Sequence, residues 1–121
     1  MNRLFPILAL AGLCAAALPV RAMNLIPLLQ DTPAQFYDDE DYALFDGALK
    51  KALNELAANG ISPWQNQKTG AGGVITVREQ FERGGKPCKW LRVESHARNR
   101  TGESMMTFCL QPDGRWMLPS P

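Results

Sequence analysis

His96 is the single histidine of the chain. No cysteine, serine–aspartate pair or second imidazole stands at a spacing that would make it a general base or a metal ligand, so it is expected to face solvent near a hairpin tip. The acidic run Asp38–Asp41 could attract calcium, but it lacks the alternating ligands and central glycine of a calcium loop and reads as a helix start. Lys68 and Thr69, followed by Gly70, Gly72 and Gly73, could cradle a phosphate. A phosphate loop, however, needs a strand before its glycines and a helix N-terminus after them. Here a helical pattern precedes the glycines and a β-like run follows. The stretch is therefore read as the turn carrying the chain from helix to first strand, with Trp64 anchoring the corner. These residues imply no catalytic group, no metal and no cofactor.

The remaining thiols point to a compartment rather than a reaction. The chain has 121 residues and three cysteines. Arg3, the apolar run Leu4–Leu18 and the small residues Val20 and Ala22 have the form of an export signal over residues 1–22. The run is too short for a permanent span, which needs about 20 apolar residues, so no transmembrane span is expected after cleavage. Leu13, immediately before Cys14, is too bulky for a lipoprotein cleavage site. The mature chain then keeps Cys88 and Cys109, an isolated pair that is most simply a disulfide in an oxidising compartment. Their distance in sequence is far from that of a redox Cys-x-x-Cys pair. Removing Arg3 and Arg21 from thirteen basic residues leaves eleven against twelve acidic ones, a net charge of −1. That balance, together with export, argues against a nucleic-acid partner.

The elements that must position these residues follow from periodicity. Residues 23–37, with two prolines in "NLIPLLQDTPAQFY", read as an extended lead-in to a single domain over 38–121. Tyr42, Phe45, Leu49, Leu53 and Leu56 recur at helical spacing, which predicts one helix over residues 40–59 with Gly60 as its left-handed cap. Thereafter the pattern is β. "GVITVREQF" alternates Ile75, Val77 and Phe81 against Thr76, Arg78 and Gln80, and three further runs end near Trp116. The predicted fold class is α+β: one N-terminal helix packed on a four-stranded antiparallel meander, with one disulfide.

The disulfide fixes the register of the hairpin between its two cysteines. A symmetric turn at "NRTG" would leave Cys109 four residues from Cys88's partner, about 13 Å along the strand and beyond bridging distance. A turn centred on Arg98 and Asn99, or a bulge with the same effect, brings the cysteines face to face and pairs Leu91 with Met106. Leu91, Val93, Met106 and Phe108 then face the helix, whereas the disulfide, Trp90, Arg92 and Met105 face outward. An outward Trp90 beside Arg92 and Met105 would be either a contact patch for a partner or a surface covered by residues 24–37. Trp64 and Trp116 are expected in the core or as lids.

Together, Trp64, Asn66, Thr69, Gly70 and Gly73, then Cys88–Lys89, then Cys109, Gln111, Pro112, Asp113, Gly114 and Trp116 form the pattern W-x-N-x-x-T-G-x-x-G … C-K … C-x-Q-P-D-G-x-W. It resembles the C-terminal domain of the bacterial 17 kDa outer-membrane surface antigen family over residues 60–118. The resemblance implies a cell-envelope protein without enzymatic activity. The chain departs from many members in lacking a lipidation motif and a glycine-zipper segment, which favours periplasmic residence over outer-membrane association. The expected function is binding of another envelope protein or outer-membrane component. The alternative is a small periplasmic inhibitor of a hydrolase such as lysozyme, presenting Gly70–Gly73 or Arg98–Gly102 to an active-site cleft.

Overall fold

A computed structural model describes residues 32–119. The export signal at 1–22, Cys14 and the lead-in before residue 32 lie outside the described residues. Helix α1 spans Asp39–Glu55. Asp38 caps it: its side chain accepts from the Asp41 N–H, and Asp41 reciprocates on the Asp38 N–H. This capping box satisfies backbone donors that a helix start leaves orphaned. Phe45, Leu49 and Leu53, joined by Ala48 and Ala52, form the buried face; Tyr42 and Leu56 pack at its margin.

The helix stops four residues earlier than its pattern predicts. Leu56 is already extended (φ −107°, ψ 142°). Asn59, not Gly60, takes the left-handed conformation, at φ 74°. Across the core, the Lys89 amine binds the carbonyls of this last turn.

Five antiparallel strands follow in a meander ordered β1-β2-β3-β4-β5: Ile61–Gln65, Gly72–Arg83, Lys86–Ala97, Arg100–Leu110 and the short Trp116–Met117. β1 adds an unanticipated strand to the four read from the sequence. Pro63 concealed it, since proline cannot donate to a ladder; at the sheet edge this costs nothing. The glycine stretch consequently does not lead from helix to sheet. It closes the β1–β2 hairpin, with Asn66 N–H donating to Ala71 O, Gly70 N–H to Asn66 O, and Gly70 at φ +82°. Gly72 and Gly73 already belong to β2, and a strand rather than a helix follows the glycines, so no anion-binding helix terminus is formed.

The register between β3 and β4 is the one the cysteines demand. Cys88 opposes Cys109, Leu91 opposes Met106, and Trp90 opposes Thr107. Arg98 and Asn99, at φ 52° and 63°, form the two-residue turn whose twist matches a hairpin. Leu91, Val93, Met106 and Phe108 are buried beneath the helix side. Phe81 corrects the expected alternation. A bulge between Val77 and Glu79 inserts one residue, and the period of two then reverses the faces beyond it. Phe81 thus opposes Cys88 on the outer face instead of joining Ile75 and Val77 in the core.

Residues Pro33–Phe36 form a 3-10 turn against β3 and β4. A side-chain carbon added at Gly102 would meet Pro33 Cδ at 2.6 Å, so a glycine is required there. Gly102 opposes Ser95, so this turn extends the helix layer and leaves Trp90 uncovered. Tyr37 follows, stacked edge-on against Trp64 at 5.2 Å and Tyr42 at 5.3 Å. Burial pushes its hydroxyl pKa up to about 12.

Candidate functional site

The residues singled out in the sequence separate onto two sides of the sheet. On the helix side, Trp64 is buried against Tyr37 and Phe45. Asn66 and Thr69 both donate to Asp41 Oδ1, at 2.7 and 2.8 Å. Asp41 is buried. Its burial alone would raise the carboxyl pKa, but hydrogen bonds from Asp38, Thr69 and Asn66 outweigh it and hold the pKa below its ordinary value. The first turn of α1 is thereby tied to the β1–β2 hairpin. Gly73 has no room for a side chain: an added carbon would lie 2.3 Å from Glu94 O.

The other end of α1 is tied by Lys89, which the motif includes but whose buried role the sequence pattern did not reveal. Its Nζ donates to the carbonyls of Ala52 (3.1 Å), Leu53 (2.8 Å) and Leu56. A cation here complements the helix dipole and satisfies carbonyls left over by the last turn. Burial lowers the Lys89 pKa. Trp116 lies 5.7 Å from the amine and donates its indole N–H to Asn54 at 2.9 Å, forming a lid over this end. The turn before it uses Pro112, Asp113 and Gly114, closed by Gly114 N–H to Gln111 O, with Gly114 at φ +91°. Every residue of the W-x-N-x-x-T-G-x-x-G and P-D-G-x-W blocks therefore has a structural task.

The outer face carries Trp90, Arg92 and Met105, as expected. Trp90 is 39 % exposed and Met105 42 %, both large for apolar side chains. Arg92 directly opposes Met105 and reaches Glu103 at 3.0 Å and Glu94 at 3.3 Å. The disulfide shares this face by register yet is not part of its accessible surface: Cys88 is 1 % exposed and Cys109 5 %. Phe81 and Met117 directly oppose the two cysteines, so the bridge becomes the floor of an apolar shelf.

Arg92 and its two glutamates divide the face. Towards the disulfide lies the shelf, with a shallow hollow of about 370 Å³ between Phe81, Trp90 and Thr107. Towards the hairpin tip lies an open groove of about 790 Å³ bordered by Pro63, Glu94, His96 and Glu103. His96 is exposed there, beside Gly72. Phe81, Glu94 and Glu103 were missed from the sequence. Only the bulge places Phe81 here, whereas register alone would have revealed the opposed glutamates. The arrangement offers an apolar contact surface with a charged border; it does not align a nucleophile, a base and an oxyanion donor.

A family model described as 17 kDa outer membrane surface antigen matches residues 51–117, more than half of the chain. No curated protein and no solved structure matches it.

Proposed function

Because the chain belongs to the 17 kDa outer membrane surface antigen family, we propose that it is a non-enzymatic envelope protein that binds another envelope component through the outer face of its sheet. The family description supports the envelope, and the exposure of Trp90 and Met105 on a face that no described element covers supports the surface. Tryptophan and methionine are enriched where partners dock, tryptophan because it provides a large rigid area and methionine because its flexible, polarizable chain adapts to the partner. Periplasmic residence remains the favoured placement. No helix among the described residues is long and apolar enough to cross a membrane.

The hydrolase-inhibitor reading gains no specific support. Gly72 and Gly73 are inside a strand, and Arg98–Asn99 is a two-residue turn, so neither segment projects as a long loop. The deciding experiment is capture from envelope extract with the immobilised mature chain and its Trp90→Ala form. Loss of a specifically enriched structural envelope component in the variant is expected. Equal capture by a folded variant would refute the outer-face reading, and enrichment of a glycosidase would favour inhibition.

A further inference from the structure

We propose that the outer edge of β4 is a strand-pairing site, and that its occupant is β4 of a second copy of this chain. β4 runs from Arg100 to Leu110 and pairs with β3 along Arg100–Cys109 without a register shift. On its other side, β5 covers only Cys109 and Leu110.

The orientation of the free backbone groups follows from the ladder. Val77 exchanges hydrogen bonds with Asn59 and Gly60, so its N–H and C=O point away from β3. Leu91, its partner in β3, therefore points its own groups at β4 and bonds Met106. Cys88 and Cys109, with Cα atoms 4.0 Å apart, have the close spacing of a non-hydrogen-bonded pair and give the same phase. Thr101, Glu103, Met105 and Thr107 thus turn both N–H and C=O to the edge. Among the described residues, none of these groups has a hydrogen-bond partner. Thr101, Glu103 and Met105 are exposed and Thr107 is half-buried.

Such an edge is a template for another strand unless it is blocked. The opposite edge is protected: β1 is five residues long and has Pro63 at its centre. β4 has no proline, lysine or bulge over its free length.

The edge is also self-complementary in one register. A two-fold axis perpendicular to the sheet keeps the faces aligned, so the odd-numbered residues pair with one another. With Ser104 on the axis, Thr101 opposes Thr107 of the second copy and Glu103 opposes Met105, which satisfies the free N–H and C=O groups of all four residues. Moving the axis to Glu103 would set Glu103 against itself, an unfavourable like-charge pair. Moving it to Met105 would require Cys109, already paired with Met117. In the Ser104 register each Glu103 keeps its own Arg92 at 3.0 Å. The product is one continuous sheet in which both Trp90 shelves lie on the same face. The pairing uses the strand edge, so it stands or falls separately from the partner proposed for that face.

The test is sedimentation equilibrium of the disulfide-intact mature chain over a wide concentration range. A monomer–dimer equilibrium is expected. Met105→Glu places carboxylates opposite Glu103 of the second copy while giving Arg92 a favourable neighbour, and it should raise the dimer Kd by roughly tenfold. Ser104→Cys should form a reducible cross-linked dimer, because the axis brings this residue opposite itself at bridging distance. Thr101→Cys, which is more exposed than position 104 but faces Thr107, should not. A monomer at every concentration, an edge that pairs only with a different protein, or cross-linking as efficient at 101 as at 104 would overturn the proposal.

Discussion

Trp64 and Trp90 are the same residue type on opposite faces of one sheet, and they mark the division of labour in the molecule. Trp64 sits among Tyr37 and Phe45 at 8 % exposure, whereas Trp90 stands 39 % exposed beside the disulfide. Around Trp64 the buried charges are bonded: Asp41 to Asn66 and Thr69, Lys89 to the end of α1. Around Trp90, apolar atoms are left open to solvent. Of the motif residues that mark the family, only the two cysteines share the outer face, and they are buried in its floor. The motif specifies how the domain is assembled, whereas the exposed side chains of the proposed contact surface, Trp90, Arg92 and Met105, lie outside it.

If that division is right, substitutions on the helix side change stability, and those on the outer face change binding. Trp64→Ala should have the largest effect. Removing a buried tryptophan costs about 3–5 kcal/mol, which is a large part of the stability of a domain this small. Urea unfolding monitored by far-UV circular dichroism would report it. A cost below about 1 kcal/mol would mean that Trp64 is not a core residue.

Asp41→Ala should follow at about 2–3 kcal/mol, since it removes half of the capping box and leaves Asn66 and Thr69 without their acceptor. The pH dependence has a definite sign. Asp41 has a folded pKa below its ordinary 3.8, so its ionisation stabilises the fold fully above that value. This contribution is lost as pH falls through the lower, folded pKa. The stability gap between wild type and Asp41→Asn should therefore narrow below pH 4. A gap that widens on acidification would contradict the hydrogen-bonded carboxylate.

The helix, the meander and the hairpin register were legible because each rests on a local rule: helical period, alternation, and the reach of a disulfide. The misreadings came from features without a local signature. Pro63 looks like a strand breaker unless its edge position is known. The bulge after Val77 is silent in the alternation, so Phe81 appeared to belong with Ile75 and Val77. Lys89 occupies an inward position in a strand, where a pattern of apolar and polar residues reads it as exposed. Its partners, the carbonyls of Ala52, Leu53 and Leu56, lie more than thirty residues away in sequence. Of the site, Trp90, Arg92 and Met105 were legible through register alone; the commitment of Arg92 to Glu94 and Glu103 was not.

Lys89 sharpens the comparison further, as a charge that behaves like a core residue. Lys89→Met keeps the alkyl stem and relieves the cost of burying a cation, but removes the donor that binds the carbonyls of Ala52, Leu53 and Leu56. The expected net loss is about 1–2 kcal/mol, with amide exchange accelerated selectively in the last turn of α1. Uniform acceleration through the domain would indicate a general packing defect instead.

Trp90→Ala should have a modest effect on stability and the largest on binding. The residue is 39 % exposed and covers the rest of its ring against the shelf, so truncation costs about 1–2 kcal/mol, well below Trp64→Ala. Nothing in the core depends on it, because Leu91 and Val93 on the reverse side of β3 keep their own contacts with the helix layer. Its exposed ring, in contrast, is the type of anchor that loses much of an interface's affinity when truncated. Unfolding midpoint and partner capture should therefore separate: for Trp90→Ala the midpoint stays well above that of Trp64→Ala while capture falls. If Trp90→Ala unfolds as readily as Trp64→Ala, the outer face is part of the core, and the division between the two faces of the sheet fails.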